Sequence, residues 1–455
     1  MPLGPFDRRN KRSRCTSCAA SHTKKRGTLC VFSAQQSPEH AAAIVLSKGK
    51  HFTAHTFAAT TVARPESPLA DMTACYIYHF DMFIKRNSFA GGEPSFLTDV
   101  QSLSKVASAS EKLKSSHLFS AMLALGAMQT HVLGISDNRK NLQFALSSYA
   151  QSIGSLRRAV SDTSPTSRAR VLWSTFFLGL FELMQDASGQ RWLQHMVFGT
   201  SQALVASGPS ACVSGPNRTF FIQARTFEVC RSIIFNQPSF LATPEWMALT
   251  GSLSNASSSR HGSNLDNLLQ LIVLCSALRS HTAHFIDVFS RSAEPDCFLS
   301  TALDLAMQGF EIREELEKWN SISSASPETG QEVILARTYY SATSIYLSGN
   351  YDYDLQHWQA VNVAVPILQP EQIVRHFDAI IRFTTKALKC SDLSPLLFLF
   401  PLRVAGARAR QTPQRRAVME LLCDVRKQFI VADAMITELE VLWASNHTLP
   451  QVITE

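Results

Sequence analysis

The strictest limit on the fold comes from residues 169–207, ARVLWSTFFLGLFELMQDASGQRWLQHMVFGTSQALVAS. In its first part Val171, Leu172, Trp173, Phe176, Phe177, Leu178, Leu180, Phe181, Leu183 and Met184 surround one charge, Glu182. A helix apolar on nearly every side is stable only inside a bundle. Asp186-Ala187-Ser188-Gly189 gives a turn signal. Beyond it Trp192, Leu193, Met196, Val197, Ala203 and Leu204 fall near the i, i+3, i+4 spacing of a single apolar face. The stretch therefore predicts a buried helix, a tight turn and an amphipathic helix. No strand pattern or internal repeat competes with it, and the chain reads as all-α.

A core of this kind needs enough apolar chain around it. The 455 residues are 45% hydrophobic and 17% charged, which is globular composition. That length suggests two or three units of ~150 residues or one large helical array. The formal charge of +7 is concentrated at one end. Residues 1–60 carry ten Lys or Arg against Asp7 and Glu39, a surplus of eight, so the remainder is nearly neutral. A basic arm on a neutral body points to a polyanionic partner at one end. No stretch reaches the ~18–20 apolar residues of a membrane span, and MPLGPFDRRNKRSR lacks the apolar centre of a secretory signal. Cys75, Cys212, Cys230, Cys275, Cys297, Cys390 and Cys423 are scattered, and they read as buried thiols of a reducing compartment. The sequons at Asn217, Asn255 and Asn446 are then chance matches.

The hairpin also carries a recognisable set of residues: Leu180-Phe181-Glu182-Leu183, then Gly189, Trp192, His195, Gly199 and Ser207-Gly208-Pro209. It resembles the helical regulatory domain of fungal binuclear zinc cluster (six-cysteine) transcription factors. There an apolar helix ending in aromatic-Glu precedes a helix with Trp-x2-His and a glycine, then a Gly-Pro turn. One departure is visible: that family usually places the glycine three residues after the histidine, and Gly199 comes four after His195.

The likeness extends along the body. Met72, Tyr76, Ile77, Phe80 and Phe83 predict one helix face, with Gly91, Gly92 and Pro94 breaking the chain after it. Residues 117–133 match the family's alanine-rich early helix, and Tyr149, Ile153, Leu156 and Val160 mark an amphipathic helix resembling its Tyr-Ala and Leu-Arg run. Arg157 and Arg158 read as a solvated face, and Ser164-Pro165 opens the next turn. Residues 224–235, followed by Asn236-Gln237-Pro238 and the run from Phe240 to Trp246, resemble an Arg-containing helix leading to a Phe-Leu and Pro-x-Trp turn. Residues 251–263 read as a low-complexity loop. Further helices are expected at 265–289, 299–319, 332–347 and 373–388, with a turn at Gly349-Asn350-Tyr351-Asp352. Residues 394–407 and 415–443 resemble the closing pair, a Pro-Leu-x-x-Ala-Gly helix and an Arg-led helix ending in Trp.

Residues 8–32, RRNKRSRCTSCAASHTKKRGTLCVF, form the basic end. Cys15-x2-Cys18 allows two thiolates to take adjacent corners of a zinc tetrahedron, and the neighbouring Arg12, Arg14, Lys24, Lys25 and Arg26 favour the thiolate form. The segment resembles the DNA-binding motif of the same family, whose six cysteines share two zinc ions. Cys15 and Cys18 match its first pair, while Lys25 stands where the third cysteine would fall. Arg26-Gly27-Thr28-Leu29-Cys30-Val31-Phe32 matches its closing stretch. Three ligands are missing, which suggests that a segment has been lost between Thr23 and Arg26. A two-zinc cluster cannot form from what remains. His22 can complete one C-x2-C-x3-H-x7-C zinc site, and without metal so short a segment is expected to be disordered. The eight basic residues from Arg8 to Arg26 leave three readings open: phosphate contact without base reading, a nuclear import signal, or a mitochondrial transit sequence.

The expected organisation is a degenerate zinc cluster segment at 8–32, a linker at 33–66 and a helical regulatory domain at 67–455. The linker lacks the three heptads a dimerising coiled coil would need. The resemblance implies a nuclear, DNA-binding regulator of RNA polymerase II genes, with DNA and the transcription machinery as partners and no membrane. It permits a role beside a secondary-metabolite gene cluster. The rival expectation is an interaction protein that has lost DNA reading.

No catalytic residue is assigned. Asp352-Tyr353-Asp354 is the nearest match to an acidic magnesium motif and lacks a second metal-binding set. Phosphate-loop, G-x-S-x-G and H-E-x-x-H patterns do not occur. His195 is a general-base candidate only if a carboxylate stands near it, and a packed or capping histidine is the simpler expectation.

Overall fold

The computed structural model describes residues 68–87, 96–105, 116–135, 137–159, 165–256, 265–291, 298–324 and 330–445. Among them every regular element is a helix and none is a strand. In chain order they are α1 (Pro68–Lys85), α2 (Phe96–Lys105), α3 (His117–Val132), α4 (Asn138–Ala159) and α5 (Pro165–Gln185). The second arm of the hairpin consists of α6 (Gln190–Gln194), a π-helical turn (His195–Ser201) and α7 (Gln202–Ser207). Then come α8 (Gly215–Ile234), α9 (Pro244–Ala256), α10 (Leu265–Phe289), α11 (Leu299–Ser324), α12 (Gln331–Asp352) and α13 (Leu355–Ala360). The series closes with α14 (Pro370–Cys390), α15 (Leu399–Arg408), α16 (Thr412–Arg426) and α17 (Ala432–Ser445). Prolines open α5, α9 and α14, where a missing N–H costs no hydrogen bond and the ring fixes a helical φ.

Helix α5 lies at the centre, as its composition demands. Every residue from Leu172 to Met184 is buried. The Trp173 ring stacks on Phe96 at 4.9 Å and on Phe177 at 5.6 Å, and meets Phe220 edge-on at 5.0 Å, so α2, α5 and α8 share one aromatic knot. Phe80 of α1 packs edge-on against Phe177. Late segments close on the same region: Val431 N donates to Leu183 O at 3.2 Å, and Phe429 meets Phe83. Tyr339 of α12 donates its hydroxyl to Leu397 O at 3.0 Å.

Several sequence expectations are corrected. The inward face of α4 is largely serine: Ser148, Ser152 and Ser155 are buried with Leu156, while Tyr149 and Ile153 are only half-buried. Small side chains let α4 lie close on α3, and Ser152 Oγ satisfies itself on His117 O at 2.7 Å. Residues 349–352 are helical, not a turn. Tyr351 is buried with its hydroxyl on Leu305 O at 2.8 Å, and Asp352 is held by Arg408, so tertiary contacts override the weak helix propensity of Gly349 and Asn350. The final 415–443 segment is two helices, because the chain breaks at residues 427–431 to bury Phe429 and Val431. The expected loop at 251–263 begins as helix through Ala256. Met72 is exposed rather than packed with Tyr76 and Phe80.

The cysteines also divide. Cys212, Cys230 and Cys275 are buried, and burial pushes their thiols up to about 11, 12 and 12. Cys75, Cys390 and Cys423 are exposed free thiols, and Cys297 lies outside the described residues. Cys423 shows the reason: Val418, Leu421, Leu422 and Val425 take the inward positions of α16, and it falls on the opposite face. No helix among the described residues is long and apolar enough to cross a membrane.

Candidate functional site

The residues that carry the hairpin resemblance converge in space. The turn between α5 and α6 is built by Asp186, whose Oδ1 accepts from Ser188 N at 3.0 Å and Ser188 Oγ at 2.7 Å, while Oδ2 accepts from Arg191 N at 3.2 Å. Gly189 follows at φ +67°, the left-handed region that glycine enters without a Cβ clash. Burial raises the Asp186 carboxyl, but the bonds from Ser188 and Arg191 outweigh it and hold the group below its ordinary value.

That turn brings His195 back over Glu182, and Tyr149 of α4 stands between them. The Tyr149 hydroxyl donates to Glu182 Oε1 and lies 3.0 Å from His195 Nε2. With the phenol proton committed to the carboxylate, the consistent tautomer has His195 Nε2–H donating to the phenol oxygen. Arg191 Nη1 stands 3.8 Å from Glu182 Oε2. The Tyr149 ring also stacks on Phe181 at 4.8 Å. Glu182 is fully buried, and that burial raises its pKa against the opposing effects of Tyr149 and Arg191. Burial takes His195 down to about 4, so the imidazole is neutral at pH 7. The Tyr149 phenol is raised, chiefly by burial and then by Glu182. A carboxylate does stand near His195, but the ring nitrogen facing it is spent on the phenol, and the chain His195–Tyr149–Glu182 forms a clamp joining α4, α5 and the second arm.

The one-residue departure in the glycine spacing has a local structural counterpart. A π turn spans His195–Ser201, the form a helix takes when it absorbs an extra residue. Gly199 then faces α5: a Cβ there would lie 3.3 Å from Thr175 Cγ2. Thr200 Oγ1 donates to Thr175 Oγ1 at 3.2 Å alongside.

A second cluster ties this arm to α8. Glu228 accepts from Ser201 Oγ at 2.9 Å, Ser239 Oγ at 2.8 Å, Arg231 Nε at 2.8 Å and Arg231 Nη2 at 2.7 Å. Arg231 reaches on to Gln237 Oε1 and Pro238 O. The arginine expected in this helix therefore pins the following turn, where Asn236 takes φ +48°. Sequence reading missed Glu228, whose only signal was its place three residues before Arg231.

The other assigned residues, Arg12, Arg14, Cys15, Cys18, His22, Lys24, Lys25, Arg26 and Cys30, lie outside the described residues. Among the described residues no group of three or more His, Cys, Asp or Glu is placed to hold a metal ion. Asp352, from the nearest match to an acidic metal motif, is occupied by Arg408 and by Ser348 Oγ. Arg157 and Arg158 are exposed, as expected.

Comparison with known proteins gives one family and one relative. The fungal specific transcription factor domain matches residues 102–453. An uncharacterized protein of Emericella nidulans is 28% identical over 127 residues, which are 28% of this chain and 27% of the relative. The match thus spans about a quarter of the curated relative's length. No solved structure matches.

Proposed function

This chain belongs to the fungal specific transcription factor domain family, and from that we propose that it regulates transcription of genes read by RNA polymerase II. The observation that supports this is the extent of the match, which takes in the hairpin, the Tyr149–Glu182–His195 clamp and the closing helices together. In this reading residues 67–455 are the regulatory body, which answers a ligand or recruits transcription machinery, and 33–66 are a linker. Residues 8–32 contact DNA in the nucleus through Arg12, Arg14, Lys24, Lys25 and Arg26. Cys15, Cys18, His22 and Cys30 offer four donors, enough for one zinc and too few for two. Zinc bound there would supply the cross-link that so short a segment needs for order. Control of a secondary-metabolite gene cluster is the narrower form of the same proposal.

A second reading is favoured by Lys25, which occupies the third-cysteine position. In it the protein no longer reads bases and acts through partners. Binding of the full chain to duplex DNA, with and without a zinc chelator, separates the two. A reader prefers some sequences and loses that preference with the metal. A bare basic arm treats all duplexes alike, and its log affinity falls with log salt by ~0.9 per phosphate contacted. Sequencing the transcript across the codons for Cys18 to Cys30 adds a direct check, since an in-frame piece with three cysteines would restore a two-zinc reader.

A further inference from the structure

Helix α11 is apolar on two sides. Leu305, Ala306, Gly309, Ile312 and Leu316 face the body and are buried. A Cβ on Gly309 would run into the Tyr351 hydroxyl, which donates to Leu305 O, so this side of the helix is fixed inward. Leu299, Leu303, Met307 and Phe310 point the other way and are 45%, 46%, 60% and 46% exposed. Large apolar side chains scattered singly over a surface need no explanation, but these four follow one another along a single helix face. At 1.5 Å per residue they make a row ~16 Å long.

Charge borders that row on one edge. Leu303, Met307 and Phe310 have the d, a, d spacing of a coiled-coil seam, and Asp304 and Glu311 hold the flanking e positions, where charge sets the choice of partner. Glu314 continues the seam beyond Phe310. All three carboxylates are exposed, and none has an ion-pair partner among the described residues. The opposite flank is closed, because Ala306 is buried and Arg313 turns inward onto Ser344 O at 3.1 Å and Pro366 O at 3.3 Å. Lys318, farther along the helix, is held by Glu315 at 3.2 Å.

This edge selects the occupant. A second copy of α11 brings no free cation, since Arg313 and Lys318 are engaged, and antiparallel pairing would set Asp304 and Glu311 against the copy's own acidic pair. The chain's own run from Arg8 to Arg26 has charge but no apolar row, its apolar residues being Cys15, Cys18, Ala19 and Ala20.

We propose that the outer face of α11 docks a basic amphipathic helix of a partner protein. Large aliphatic side chains of that helix cover Leu299, Leu303, Met307 and Phe310, and Lys or Arg residues along its facing edge answer Asp304, Glu311 and Glu314. Docking stands on this surface and does not rest on the proposed function.

The probe is a fluorescein-labelled synthetic helix of about three heptads with leucine at a and d and lysine at e and g. A matched peptide carries glutamate at e and g. Fluorescence anisotropy follows each peptide as the full chain is added. The expected result is saturable binding of the lysine peptide, ~5-fold or more tighter than the glutamate peptide. Met307→Ser combined with Phe310→Ser, both exposed positions, should weaken it ~10-fold or more. Asp304→Lys combined with Glu311→Lys should reverse the preference between the peptides, which general attraction for cationic peptides would not do. No saturable binding, equal binding of the two peptides, or undiminished binding by the serine variant overturns the proposal. So does a dimer of the full chain in sedimentation equilibrium that the serine variant dissociates, because a second copy would then cover the face.

Discussion

His195 and Glu182 are joined through the hydroxyl of Tyr149, which donates to the carboxylate and lies 3.0 Å from the imidazole Nε2. Tyr149→Phe removes the one hydrogen bond that Glu182 Oε1 accepts among the described residues and leaves a fully buried carboxylate with Arg191 at 3.8 Å. The loss should be ~1–3 kcal/mol by urea unfolding. Glu182→Gln keeps an acceptor for the phenol and should cost less. Equal losses in the two variants would mean that the pair is not the clamp described.

Glu228 and Arg231 form the second tie, buried and mutually satisfied. Glu228→Ala leaves a buried guanidinium without its carboxylate, and ~3–5 kcal/mol of stability should go with it. Combining Glu228→Leu with Arg231→Met should recover most of that, because no buried charge remains. A single variant losing under ~1 kcal/mol would contradict the assignment.

Gly126 is set by contact rather than by backbone conformation. A Cβ there would sit 1.9 Å from the Tyr76 carbonyl oxygen, so α3 approaches the backbone of α1 directly. Gly126→Ala has no flexible side chain to push aside and should cost at least the ~3 kcal/mol upper end of overpacking. Gly154, inside α4 with nothing within 4 Å of the added methyl, gives the opposite sign. Gly154→Ala should stabilise by ~0.5–1 kcal/mol. Both are read from chemical denaturation midpoints.

How far the fold was legible follows from these contacts. The centrality of α5 could be read directly, because an all-round apolar helix has only one place to go. The tie from His195 to Glu182 could not, since its third member, Tyr149, stands 33 residues upstream of Glu182. Its partners come together only after α4 and α5 have packed. The inward face of α4 was legible in part: Tyr149, Ile153 and Leu156 do pack toward the core, but Ser148, Ser152 and Ser155 are buried beside them, because close helix approach favours small residues that apolar periodicity does not flag. The break at 427–431 is likewise tertiary, produced by where Phe429 and Val431 dock. The segment assigned to zinc and DNA falls wholly outside the described residues, so its reading still rests on cysteine spacing and charge.

Acid sensitivity follows from buried imidazoles. His117 is down to about 4 through burial and the Arg170 charge, His195 to about 4 through burial, and His376 to about 4 through burial, Arg313 and Arg375. Unfolded histidine takes its proton near pH 6.5. Between about 6.5 and 4 the unfolded chain therefore binds protons that the fold refuses, and stability drops as pH drops. Glu182, raised by burial, opposes this in the carboxylate range. His117→Gln should flatten the slope near pH 5 by up to ~1.4 kcal/mol per pH unit. Unfolding free energies at pH 5 and 7 check it, and an unchanged slope would mean that His117 titrates normally in the fold.

The most direct test of the account tethers the full chain to a reporter promoter through an added sequence-specific DNA-binding module and measures reporter transcript. This removes any dependence on residues 8–32 and asks only whether the helical body regulates. The account predicts a several-fold change, in either direction, relative to the module by itself. Reporter transcript unchanged, with the fusion folded and equally abundant in the nucleus, would contradict it.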